Sequence, residues 1–115
     1  MLNKLDLRER KVIRQFTTRI RKSLGNNLIS IILFGSKIRG DYSENSDIDL
    51  LIIVKKKKLL VRKKIYNVLF EIDPYYKFRI SPLIYSKYEY KKNEELKSTF
   101  LDNLKKEGVT IWRKI

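Results

Sequence analysis

Two runs of apolar, largely β-branched residues constrain this chain most: LISIILF at 28–34 and DIDLLIIV at 47–54. Past the two aspartates neither run alternates polar with apolar, as expected of strands covered on both faces. A sheet holding two such strands needs helices packed on it. The thirteen residues from Gly35 to Asp47 are too many for a tight hairpin, and they leave room for a short helical turn.

The rest of the chain supplies the covering layers. Leu7, Val12, Ile13, Phe16, Ile20 and Leu24 recur near helical spacing. Asp6 with Glu9 has the form of a capping box and Gly25 that of a helix stop, which predicts a helix over 6–24. After KKKK (55–58), Leu59, Val61, Ile65, Val68, Leu69 and Ile72 predict a second helix ending before Pro74. FRISPLIYS (78–86) reads as a third strand, which Pro82 places at an edge or a bend. Ser86 with Glu89 repeats the capping-box pattern and opens helical sequence running to Gly108, with Phe100, Leu101 and Leu104 as its core contacts. VTIW (109–112) reads as a last short strand. Alternating helices and strands in 115 residues predict one domain, 1–115, with an α/β or α+β layer fold and a single packed core.

Composition narrows the chemistry. With no cysteine and no histidine, catalysis has only carboxylates, hydroxyls, lysines or a bound metal to draw on. No stretch approaches the roughly 20 apolar residues of a membrane helix, and the charged amphipathic N-terminus lacks the apolar centre of a signal peptide. The expected setting is a soluble, cytoplasmic one. Twenty-seven Lys and Arg against 13 Asp and Glu give a net charge of +14. That surface is either a field for nucleic acid, nucleotides or an acidic partner, or a plain abundance of surface lysine. The same alternatives hold for KKKK and Arg62-Lys63-Lys64: a solvated turn and helix face, or a basic contact surface. Tyr66, Phe70, Tyr75 and Tyr76 fall at helix-face or turn positions suited to core or rim, as do Trp112 and Phe100, whereas Tyr85, Tyr88 and Tyr90 cluster as an exposed partner patch would.

The chemistry-bearing stretch is FGSKIRGDYSENSDIDLLIIV, 34–54. Strand residues i and i+2 share a face about 6.6 Å apart, so Asp47 and Asp49 project together while Ile48 packs on the other side. Two carboxylates so placed repel one another, and a divalent cation removes that cost. Mg²⁺ binds through one or two carboxylates plus substrate phosphates. Gly35 lets the backbone approach a ligand or take a positive φ. Ser36 adds a hydroxyl and opens a turn whose N–H groups suit a phosphate. Arg39 either contacts that phosphate or braces the loop against an acidic neighbour. One strand end thus offers phosphate contacts and its neighbour offers metal ligands, which is what metal-assisted phosphoryl or nucleotidyl transfer needs.

Gly35-Ser36, ten residues, then Asp47-Ile48-Asp49 resembles the signature of the DNA polymerase beta-like nucleotidyltransferase superfamily. The fuller run, with Arg39, Gly40, Ser43 and Ser46, is similar to the minimal nucleotidyltransferases of bacteria and archaea. The resemblance implies a small mixed β-sheet with flanking helices, the nucleotidyltransferase fold. It implies Gly35 and Ser36 on the triphosphate of ATP or another nucleoside triphosphate, and Mg²⁺ on Asp47 and Asp49. The reaction implied is transfer of a nucleoside monophosphate, AMP from ATP, to an acceptor hydroxyl with release of pyrophosphate. Many minimal members are antitoxins that modify a tyrosine of a partner toxin of the HEPN class. Active members usually carry a third carboxylate on a later strand. The expected position here, two before Ser81, is Arg79, and no acidic residue falls between Asp73 and Glu89. Three functions follow: a Mg²⁺-dependent nucleotidyltransferase, a catalytically weak module of the same fold acting by contact, or a nucleic-acid binder.

Overall fold

The computed structural model describes residues 5–39 and 47–115. Gly40, Ser43 and Ser46 of the motif lie outside the described residues. In chain order the elements are α1 (Leu7–Leu24), β1 (Leu28–Phe34), α2 (Ser36–Arg39), β2 (Ile48–Val54), α3 (Leu59–Ile72), β3 (Ile80–Ser86), α4 (Lys87–Glu95), α5 (Thr99–Glu107) and β4 (Val109–Arg113). The four strands form one mixed sheet in the order β3-β2-β1-β4. β1 is antiparallel to both β2 and β4, and β2 is parallel to β3 through the α3 crossover. The expected mixed sheet with flanking helices is the observed fold.

The two faces of the sheet are covered unequally. Val12, Ile13, Phe16 and Ile20 of α1 and Val61, Ile65 and Val68 of α3 pack onto Leu28, Ile31, Leu33, Leu50 and Ile52. Phe16 and Ile65 are wholly buried, and burying one such side chain contributes about 1.5–3 kcal/mol. On the other face Leu101 and Leu104 of α5 meet Leu51 and Ile53, with Phe100 set edge-on to Phe34 at 5.3 Å and to Tyr85 at 6.1 Å. There Ile29, Ile32 and Phe34 are only partly covered, so β1 is less enclosed than its largely apolar run predicts.

Both capping boxes form. The Asp6 carboxylate accepts from Glu9 N at 2.7 Å, and the Ser86 hydroxyl accepts from Glu89 N at 3.0 Å. Pro82 does sit on an edge strand. Two expectations need correction. The helix expected from Ser86 to Gly108 is two helices: Lys97 takes φ +52°, and the Ser98 hydroxyl accepts from Leu101 N at 3.1 Å to start α5 afresh. The break lets Leu101 and Leu104 reach the sheet while Leu96 stays exposed. Secondly, Phe70 and Tyr75 are not core or rim but 71% and 91% exposed. Phe70 lies on α3 away from its buried Val61–Ile65–Val68 stripe, and Tyr75 follows the helix end at Pro74. Tyr85 and Tyr90 pack into the α5 side, leaving Tyr88 exposed, so the tyrosines form no common patch.

Candidate active site

The site lies where β1 ends and β2 begins. Asp49 stands opposite Phe34 of β1 and Ser81 of β3. Strand alternation puts Asp47 and Asp49 on the same side of the sheet as Leu51 and Ile53, the side covered by α5. Gly35 follows Phe34 at φ +85°, a conformation that favours glycine. A Cβ at Gly35 would stand 2.2 Å from Asp49 Oδ2. Glycine is required here because the carboxylate is pressed against the turn, which ties the two halves of the motif together physically.

That placement has an electrostatic cost. Burial pushes the Asp49 carboxyl up from its ordinary value, the neighbouring charge of Asp47 pushes it further, and Arg39 works against both. A carboxylate pair held partly desolvated in this way invites a cation. The donor set fits one hard divalent ion whose other ligands come from phosphate and water. Among the described residues no group of three or more acidic, histidine or cysteine side chains gathers around a common point.

The short helix α2 carries the rest of the motif. Ile38 N and Arg39 N both turn back onto the Gly35 carbonyl at 3.2 Å, which closes the turn that opens α2. Arg39 braces as well as faces the site: its guanidinium lies 3.9 Å from the Glu107 carboxylate on α5. A shallow cavity of about 170 Å³ lined by Phe34, Gly35, Arg39, Phe100, Asn103 and Glu107 opens beside them.

Two residues shape the site without having been read as part of it. Lys37 is 3% exposed and its ammonium sits 2.7 Å from Glu9, the same glutamate that closes the α1 capping box. It anchors α2, and with it the Gly35 turn, to the start of α1. A lysine after Gly-Ser reads as surface, and only the three-dimensional partner shows otherwise. Asp73 is the second. Its carboxylate accepts from Lys77 N at 2.8 Å and Phe78 N at 2.9 Å, shaping the turn that delivers Arg79 to the strand mouth. Glu71, at the end of α3, pairs with Arg19.

Arg79 stands beside Asp47 at the mouth of the parallel strand pair. Its Nε donates to Asp47 Oδ1 at 2.9 Å, its guanidinium lies 5.2 Å from the centre of the Tyr76 ring, and its carbonyl accepts from Ile48 N at 3.0 Å. The basic run is absorbed in part. Lys55 N and Lys56 N are tied to Asn27, and Lys57 lies 3.3 Å from Glu89.

Comparison with known proteins places the chain. Residues 13–108 match the model of the nucleotidyltransferase domain. A protein of Methanocaldococcus jannaschii, provisionally named a protein adenylyltransferase, is 37% identical over 102 residues, spanning 88% of this chain and 96% of that protein. Two solved structures share the fold. Spectinomycin adenyltransferase from Enterococcus faecialis, with ATP and spectinomycin, has a TM-score of 0.71 at 19% identity, over 92% of this chain and 56% of the other. A toxin–antitoxin complex with AMP-PNP has a TM-score of 0.55 at 19% identity, over 94% and 75%. With the domain model matched over most of its length and a relative this similar, the chain belongs to the nucleotidyltransferase family.

Proposed function

We propose that this chain is a Mg²⁺-dependent adenylyltransferase, a single catalytic domain that moves AMP from ATP to a hydroxyl of a partner protein. The observation that carries the reading is the pair Asp47 and Asp49, set side by side at the mouth of β2 with Asp49 against the Gly35 turn. Gly35 and Ser36 receive the triphosphate at their backbone, and Arg39 faces its negative charge. Mg²⁺ on Asp47 and Asp49 would supply neutralisation of the triphosphate and polarisation of the α-phosphate. The acceptor oxygen bonds to the α-phosphorus, the bond to pyrophosphate breaks and the hydroxyl proton passes to solvent water. Side chains that hold both reactants in line account for most of such a rate enhancement.

The similarity to a named protein adenylyltransferase and the fold shared with a toxin–antitoxin complex support a protein acceptor. We take that acceptor to be a toxin of the HEPN class, which this chain would neutralise in the cytoplasm. Among the described residues no helix is long and apolar enough to cross a membrane. The test is incubation with α-labelled ATP, Mg²⁺ and the protein encoded next to this one. Label on the partner that vanishes in Asp47→Asn and in Asp49→Asn, with both variants folded, is the expected result. Label unaffected by either substitution overturns the assignment.

The ion pair of Arg79 with Asp47 favours a second reading, a weakly catalytic module acting by contact. In that case Asp47→Asn leaves toxin neutralisation intact. A basic groove of about 880 Å³, bordered by Lys55, Lys87, Lys91, Arg113 and Lys114, supports an anionic contact in either case. The close approach of Lys55 also holds the Lys114 ammonium below its usual pKa. Nucleic acid as the occupant would show as binding that weakens steeply with added salt.

A further inference from the structure

We propose that Arg79 is a built-in counter-cation of this site: it holds Asp47 while no nucleotide is bound and restricts the chain to one divalent ion, taken up together with the nucleotide. The inference rests on reading the site as one for nucleotidyl transfer, and it concerns how that site is charged.

Three constraints fix Arg79 where it is. β2 and β3 run parallel, with Ile48 beside Ile80 and Asp49 beside Ser81, so residue 79 falls next to Asp47 at the open end of the strand pair. The backbone of Arg79 is held at φ +55° and bonded through its carbonyl to Ile48 N. The guanidinium lies against the Tyr76 ring while Nε reaches Asp47 Oδ1 at 2.9 Å. A non-glycine residue kept in the left-handed region is held there by its surroundings. Arg79 is therefore a placed group rather than a stray surface charge.

The consequences are chemical. A carboxylate in the space of the Arg79 side chain would make a three-acid cluster able to bridge two divalent ions. A guanidinium there contributes one positive charge and no lone pair, so it competes for Asp47 instead of adding a ligand. Its two terminal nitrogens have no hydrogen-bond partner among the described residues. They are free to turn to a phosphate oxygen as a metal–nucleotide complex enters, and a planar guanidinium matches that group well. A triphosphate arriving with its ion thus offers Arg79 a replacement for Asp47 and gives Asp47 to the metal. Free metal offers no such exchange.

Binding of Mn²⁺ to the full chain, read by electron paramagnetic resonance with and without a non-hydrolysable ATP analogue, tests this directly. The expected wild-type result is weak Mn²⁺ binding alone and one tightly held ion per chain with the analogue. Arg79→Gln should bind Mn²⁺ without nucleotide roughly fivefold more tightly, the size expected for releasing a partly exposed carboxylate from an ion pair. It should also bind the analogue more weakly. Arg79→Lys, which keeps the charge, should resemble wild type in nucleotide-free metal binding, and Arg79→Glu should take up a second ion. Two ions in wild type, or an unchanged metal affinity in Arg79→Gln, overturns the proposal. If wild type binds no analogue at all, the nucleotidyltransferase reading fails separately, because the nucleotide-free comparison still decides what Arg79 does to Asp47.

Discussion

The parallel strands β2 and β3 begin and end in acidic groups held by opposite rules. At their start, Asp49 is pressed against Gly35 and crowded by Asp47, and its carboxyl is pushed above the ordinary value. At their end, Glu89 accepts from Ser86 N at 2.9 Å with Lys57 nearby, and its carboxyl is held below the ordinary value, chiefly by the backbone hydrogen bond. One carboxylate is stabilised by what the chain itself provides. The other meets burial and a like charge, with Arg39 working against both. Local conflict of this kind is expected at sites that work and is avoided elsewhere.

The largest effect that sharpens this contrast comes from Gly35→Ala. The new methyl cannot coexist with Asp49 in its present position, since 2.2 Å is far inside contact distance, and φ +85° is strained for alanine. Nucleotidyl transfer should fall by about 100-fold, the scale expected for a displacement of around 1 Å at a reacting centre. Stability should fall by about 1–3 kcal/mol. A transfer assay beside a urea melt separates the two. Full activity in a folded Gly35→Ala protein would show that Asp49 does not depend on the turn.

At the far end, Ser86→Ala should cost about 1 kcal/mol by removing the α4 cap. In a domain of this size that corresponds to a fall in Tm of about 4–8 °C. Transfer by the folded protein should not change, because nothing at Ser86 touches the strand mouth. A thermal melt by circular dichroism, with activity measured well below the transition, checks both halves. Loss of transfer without loss of stability would break the division between a structural end and a working end.

Much of this division can be read in the residues themselves. The Asp6–Glu9 and Ser86–Glu89 patterns name their own helix starts, because a cap is a local interaction between residues three apart. The Gly-Ser and Asp-Ile-Asp pairs mark the proposed site for a similar reason: glycine and a same-face carboxylate pair are each costly unless something uses them. Contacts between distant segments were not legible. Lys37 is buried on Glu9 although 28 positions separate them in sequence, and no periodicity marks it. The break at Lys97–Ser98 was missed because Ser98, an ordinary residue within a helical stretch, outcompetes continuation of the helix only once Leu101 and Leu104 have the α5 side of the sheet to cover. Arg79 was legible as a missing acid, but its grip on Asp47 depends on the parallel register of β2 and β3.

The smallest effect is also the most direct test of the contrast, because the two ends should respond to pH with opposite sign. Asp49 has a folded pKa above the ordinary aspartate value. The stability it contributes is present below that value and lost as pH rises through the folded pKa, so at neutral pH its ionised form costs stability. Asp49→Asn should therefore raise Tm at pH 7 by a degree or two, a change of a few tenths of a kcal/mol, and the gain should shrink to nothing at about pH 3. Glu89 has a folded pKa below the ordinary glutamate value. Its contribution is present above that value and lost as pH falls through the folded pKa. Glu89→Gln should thus lower Tm at pH 7 by a similarly small amount, since the group is largely exposed and screened, and converge with the parent in acid. Melts of the two variants and the parent at both pH values suffice. A Tm that falls in Asp49→Asn at pH 7 would mean that the Arg39 charge outweighs burial and the Asp47 repulsion, and that the working end is as well satisfied without ligand as the capped one.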